Sequence, residues 1–218
     1  MKPSFRSVTS IPEAETVLQK GGAVLIVYDG KRTLMNRFPG VHELKEGELG
    51  GIWALYKTDD NWDNPRFPIA LGMRATSALD GIIYTTDISG REKGKDEGII
   101  AKYIPSDSGY QRATDPDGGV NTEASEAYPS IAPDESYVIF DSSRPGERGK
   151  GDLCICFRLA DGSCSQAHNS AILNTEDFDW CPTVSPDGKY LFLTRNGTGK
   201  ADIYWVDARI IEELRPKE

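Results

Sequence analysis

The side chains that could run acid–base chemistry gather in two short stretches. Glu123 and Glu126 lie in one, Glu176, Asp177 and Asp179 in the other, and Trp180 follows directly. Paired carboxylates suffice for cleaving a glycosidic bond when one of them is desolvated and keeps its proton. Cations lie elsewhere, with Arg91, Lys93 and Lys95 in one stretch and Arg144, Arg148 and Lys150 in another. Other chemistry is sparse. No G-x-S-x-G, HExxH or P-loop pattern occurs. Of the two histidines, His42 sits in a charged stretch and His168 near a predicted strand end, and both are expected as surface residues rather than bases. Asp115-Pro116-Asp117-Gly118-Gly119 alternates oxygen ligands as a calcium loop does, but it departs from the EF-hand spacing and lacks the closing Glu. An ordinary Asp-Gly turn is expected there, and neither a metal nor a cofactor is expected in the chain.

The elements that must position these groups are spelled by a repeat. Asn121-Thr122-Glu123 leads through Pro129 and Asp134 into Tyr137-Val138-Ile139-Phe140. Asn174-Thr175-Glu176 leads through Pro182 and Asp187 into Tyr190-Leu191-Phe192-Leu193, each pair 53 residues apart. Pro followed by Asp and Gly or Glu suits a tight turn, and the flanking runs of β-branched and aromatic residues suit strands. Turn aspartates at Asp29, Asp80, Asp134 and Asp187 give four such units. Four short strands in about 50 residues is the size of a propeller blade. In the first unit the strands are expected at Ala23–Tyr28, Thr33–Asn36, Ile52–Lys57 and near Trp62; in the third unit the fourth strand is expected near Cys164. The fourth unit ends without a fourth strand, because Asp207–Leu214 reads as a short helix. Ser4–Val8 is the candidate strand to cover the resulting edge. A helix is expected over Pro12–Lys20, with its N-cap at Ser10.

The Pro-Asp-Gly turn, the aromatic-aliphatic strand, the Gly-rich charged loop and a closing Asp-Ile-Tyr resemble the WD40-like repeat of TolB-type β-propellers, bacterial proteins mostly without an assigned activity. The resemblance rests on Ile131-Ala132-Pro133-Asp134-Glu135-Ser136-Tyr137 and Asp202-Ile203-Tyr204-Trp205-Val206-Asp207. It is strong from Arg74 to Glu213, weaker from Ala23 to Arg74, and absent before that. It implies an all-β propeller of four recognisable four-stranded blades, standing alone or as part of a six-bladed ring, with short helices at both termini. The expected organisation is a cap at 1–22, repeats at about 23–70, 71–115, 116–170 and 171–207, and a helical tail at 208–218.

Net charge is −9 and no basic stripe exists, so nucleic-acid binding is not expected; no apolar run is long enough to span a membrane as a helix. The first 22 residues lack the order of a signal peptide, so the chain as written is expected in the cytoplasm. The resemblance implies a periplasmic or exported protein if this start lies inside a longer one. Cys154 and Cys156 share a strand face, and Cys-x-Cys can open a metal site. Yet Cys154 stands where Tyr204 stands in the last repeat, and Cys164 where Trp62 and Tyr110 stand in the first two. Cys154, Cys156, Cys164 and Cys181 are therefore expected as reduced, packed thiols rather than as a disulfide or metal ligands. In a propeller the long connections share one rim, which here carries Arg91, Lys93, Arg144, Arg148, Lys150, Glu123, Glu176, Asp177, Asp179 and Trp180. The reading is a noncatalytic scaffold that binds a protein, peptide or carbohydrate through this rim, with Trp53, Trp62, Trp180 and Trp205 as anchors if exposed. The rival is a carbohydrate-active lyase or hydrolase using rim carboxylates. Self-association through an open blade edge is a further possibility.

Overall fold

The computed structural model describes residues 24–29, 51–56, 66–70, 72–89, 98–106, 109–146, 148–197 and 199–216, with side chains from residue 74 onward. Four antiparallel sheets follow one another along the chain. The first holds β1 (Val24–Asp29), β2 (Gly51–Tyr56) and β3 (Arg66–Ala70). The second holds β4 (Gly72–Ser77), β5 (Ile83–Asp87), β6 (Ile99–Ser106) and β7 (Gly109–Arg112). The third holds β8 (Glu126–Ile131), β9 (Tyr137–Ser142), β10 (Asp152–Phe157) and the two-residue β11 (His168–Asn169), and the fourth β12 (Phe178–Val184), β13 (Tyr190–Asn196) and β14 (Asp202–Asp207). One short helix, α1 (Ile210–Glu213), follows β14.

The turn aspartates explain three of the hairpins. Asp80, Asp134 and Asp187 each accept, through Oδ1, the backbone N–H two residues on, at 3.0, 3.0 and 3.2 Å. Side chains of this type bend the chain by mimicking a backbone turn. The residue after each aspartate is left-handed: Gly81 at φ 87°, Glu135 at φ 58° and Gly188 at φ 71°. Two repeats use glycine for that conformation and the third holds a glutamate in it, a point that matters below.

The first repeat is built differently from the expectation. β1 pairs directly with β2, with Asp29 as its last residue opposite Gly51, so no strand lies between the two in the sheet; the turn expected at Asp29-Gly30-Lys31 lies largely outside the described residues. The proposed strand at Thr33–Asn36 falls outside the described residues, as do Ser4–Val8, Pro12–Lys20, His42, Trp62, Arg91 and Lys93. In the third blade the outermost strand is β11, while Cys164 makes an isolated bridge to Arg158. Among the described residues the fourth sheet has three strands, and the short helix follows the third of them.

Period-2 alternation gives the third blade two buried faces. Val138, Phe140, Cys154 and Cys156 pack with Tyr84 and Ile100 of the second blade. Ile139, Leu153, Ile155 and Phe157 pack with Leu191 and Leu193 of the fourth, where Ile211 of α1 closes the end of the cluster. Burying one such side chain is worth about 1.5–3 kcal/mol, so blade-on-blade stacking is the main source of stability. β4, β8 and β12 lie side by side as the innermost strands.

Candidate functional site

The rim that carries the long connections is held together by a stitch made twice. Asn121 accepts the N–H of Ile100 at 2.7 Å and donates to its carbonyl at 2.9 Å. Asn174 does the same to Leu153, 53 residues on, at 2.8 and 2.8 Å. Thr122 donates its backbone N–H and its hydroxyl to Glu126, and Thr175 does so to Asp179. Glu126 donates its own N–H to the Gly98 carbonyl and Asp179 to that of Gly151, both at 2.9 Å. Arg144 reaches Glu126 at 3.3 Å and the Val120 carbonyl at 2.9 Å; Arg195 reaches Asp179 at 2.6 Å and the Leu173 carbonyl at 2.8 Å. Each inter-blade link is thus tied to the third strand of the preceding blade. The Asn-Thr pairs bond backbone and neighbouring carboxylates, as expected of linking turns.

The rim candidates therefore divide. Asp179 is fully buried and ion-paired, like Glu126, and Arg144 is engaged by the same stitch. Glu123, Glu176, Arg148 and Lys150 are exposed, and Asp177 is half-buried. Arg148 donates to the Ala171 carbonyl at 3.1 Å, and its backbone N–H bonds Asp152, which anchors the loop before β10. Trp180 is half-buried and packs edge-on to Tyr128 and Phe178, with its Nε1 buried and unpaired among the described groups. Asp115 bonds Arg112, and Asp117 accepts the N–H of Cys164 at 2.7 Å. Among the described residues no cluster of three or more His, Cys, Asp or Glu is arranged to hold a metal ion. No helix among them is long and apolar enough to cross a membrane.

Three central residues were not singled out from the sequence. Arg74, Tyr128 and Cys181 occupy left-handed backbone at φ 52°, 50° and 52°, each at a bulge that breaks the pairing of an innermost strand. Their steps of 54 and 53 residues are the repeat itself, so aligning the copies would have found the positions, whereas their side-chain types give no hint. The bulges tie blades together, at Tyr128 and Cys181 to the preceding blade and at Arg74 from the second blade to the fourth. Tyr128 donates its N–H to Thr86 Oγ1 at 2.8 Å and Cys181 to Asp141 Oδ1 at 3.2 Å, while the Arg74 guanidinium bonds the Pro182 carbonyl and Thr183. Burial pushes the Asp141 carboxyl up to about 7, against the opposing pull of the Cys181 amide and Arg74.

A small crevice opens between the second and third blades, on the tight-turn side. The left-handed Glu135 folds its carboxylate into it and accepts from Tyr84 at 2.9 Å, Lys102 at 2.9 Å and Arg158 at 3.0 Å. Cys156 and Cys164 line the same crevice.

The outer face of the fourth blade carries exposed side chains. Pairing places Phe192 opposite Trp205 and Thr194 opposite Ile203, on the face away from the Leu191 and Leu193 core. Tyr190 sits edge-on to Trp205 with ring centroids 5.1 Å apart. Ile203 is 57% exposed and Trp205 51%.

A solved structure described as a TolB of Agrobacterium tumefaciens superposes over 85% of this chain with a TM-score of 0.54 and 18% sequence identity. The fold is that of a TolB-like β-propeller. A TolB of Acinetobacter baumannii covers 72% of the chain with a TM-score of 0.45 and 15% identity, and a gluconolactonase of Xanthomonas campestris covers 72% with 0.41 and 16%. The chain spans 58%, 35% and 52% of these three structures, respectively. No protein-family model and no curated protein sequence matches the chain.

Proposed function

We propose that the chain is a noncatalytic propeller scaffold that binds protein, and that the outer face of its fourth blade takes a β-sheet from a second copy of the chain. The observation that carries this is a comparison between repeats. Ile139, Leu153 and Ile155 of the third blade are no more than 1% exposed, because the fourth blade covers them. The equivalent positions of the fourth blade are Phe192, Ile203 and Trp205, and the last two stand more than half exposed. A face built to the same pattern as a buried one fits the same kind of partner, a blade-like sheet packed face to face. The chain makes sheets of that pattern, so a second copy supplies one. The face is apolar and aromatic, which favours protein over a glycan.

The reading as noncatalytic rests on the long-connection rim. A glycosidase-type site needs two acids facing one cleft. Glu126 and Asp179 are instead committed to threonine and arginine partners. The crevice between the second and third blades holds one carboxylate, Glu135.

Light scattering during size-exclusion chromatography tests the proposal. At about 100 μM the wild-type chain is expected at twice its 24.0 kDa mass, and the Ile203→Asp/Trp205→Glu double variant at a single mass with an unchanged circular dichroism spectrum. A wild-type monomer at that concentration, or a dimer that survives the double variant, overturns it.

A further inference from the structure

We propose that Cys164 is a peroxide-reactive thiol and that Cys156 resolves it, closing a disulfide between the third strand of the third blade and the segment that follows. Strand register brings the two together. Arg158 pairs directly with Cys164, so their side chains share a face, and Cys156 lies two residues back on that face. Cys164 is therefore the diagonal neighbour of Cys156 on one sheet face. Both line the crevice that Lys102, Arg158 and Glu135 share. Cys164 is half-buried and reachable from it, whereas Cys156 is 1% exposed.

Their chemistry is unequal in the sense the reaction needs. The adjacent Cys156 thiol holds the Cys164 thiol below its usual range, with the Lys102 ammonium adding to the effect. The nearness of Cys164 and burial push the Cys156 thiol up. A thiolate is the nucleophile, so the accessible partner attacks and the buried one waits as a thiol. In the first step the Cys164 thiolate attacks hydrogen peroxide, the O–O bond breaks, and Cys164 sulfenic acid and hydroxide form. In the second, the Cys156 sulfur attacks that sulfenic sulfur, the S–O bond breaks, and the disulfide and water form. The sulfurs lose two electrons and the peroxide gains them. The remaining cysteines are poorly placed: Cys154 is fully buried, and burial pushes the Cys181 thiol up to about 11.

The test uses the reduced, full-length chain. Iodoacetamide at pH 7 is expected to label Cys164 at least about tenfold faster than Cys181, although both are half-buried. Stoichiometric hydrogen peroxide is expected to lower the intact mass by two hydrogens. Trypsin then releases the crosslinked peptides 151–158 and 159–189, and fragmentation is expected to place the link between Cys156 and Cys164. The Cys156→Ser variant is expected to stop at a Cys164 sulfenic acid that dimedone captures. Because the labelling and mapping need no variant, a misfolded mutant does not blunt the test. Equal labelling of Cys164 and Cys181, or a peroxide-induced link through Cys154 or Cys181, overturns the proposal.

Discussion

Asn174→Ala removes the stitch between the third and fourth blades at its most buried point. Asn174 is 2% exposed, and its side chain makes three hydrogen bonds at 2.8 Å, two to the Leu153 backbone and one to Asn169. Alanine leaves the Leu153 carbonyl a second donor, the N–H of Ser170 at 3.0 Å, but leaves the Leu153 N–H with none. Leu153 is fully buried, so water does not replace the lost acceptor. An orphaned buried N–H costs about 1–3 kcal/mol and each of the two further bonds about 1, which gives a loss of about 3–5 kcal/mol. With a urea m-value of about 2 kcal/mol per M, the unfolding midpoint falls by about 1.5–2.5 M at unchanged m. Asn121→Ala is the internal control. It breaks the equivalent bonds to Ile100 from a half-buried position that solvent reaches, so its shift is expected to be smaller. A loss below about 1 kcal/mol for Asn174→Ala, or a larger loss for Asn121→Ala, refutes the assignment of these asparagines as blade clamps.

Asp179→Ala leaves the partly buried Arg195 guanidinium and Thr175 donors without their fully buried acceptor, and breaking such a pair costs about 3 kcal/mol. Its thermal midpoint is expected to fall further than that of Glu176→Ala, an exposed neighbour. Asp141 carries a pH signature. Its folded carboxyl titrates near 7 against an ordinary value of 3.8, so the native state binds the extra proton between those limits. Stability measured against an Asp141→Asn reference is therefore expected to fall as pH rises from about 4 to about 7 and to level off above; a flat difference refutes the burial argument. Glu135→Gly is expected to relieve the left-handed backbone while releasing Lys102, Arg158 and Tyr84, and tyrosine absorbance should show Tyr84 titrating at lower pH than in the wild type, where burial and the Glu135 charge hold it up.

The parts of the fold legible in the sequence are those where a residue type has a backbone job. Asp80, Asp134 and Asp187 sit in the turns that their short side chains make, and Asn121 and Asn174 sit in links that their amides tie down. Legibility fails where the backbone is set by neighbours. Asp29 matches the turn pattern in type, yet β1 pairs with β2 across the whole of Val24–Asp29, and it is strand pairing that decides its place. Arg74, Tyr128 and Cys181 are left-handed at bulges, and at Tyr128 and Cys181 the bulge turns an amide toward the preceding blade, which no local preference announces. The candidate site was half visible for the same reason. Charge placed the rim residues in the long connections, but whether a carboxylate faces solvent or a buried arginine depends on the partner that the fold brings to it, as the contrast between Glu176 and Asp179 shows.

That contrast redirects the search for binding energy. An exposed ion pair is worth about 0–1 kcal/mol, and the buried pairs of the rim are already engaged between blades, so among the described residues the rim offers a partner its exposed tips. The fourth-blade face is in the opposite state. Covering Ile203 and Trp205 removes apolar surface from water at about 25 cal/mol per Å², without breaking any hydrogen bond within the sheet. The edge of β14 offers a row of backbone groups beside it, unpaired by any other described strand. Repetition explains both states: each blade carries one face for its predecessor and one for its successor, and in the fourth blade the second is the face on which Ile203 and Trp205 stand more than half exposed.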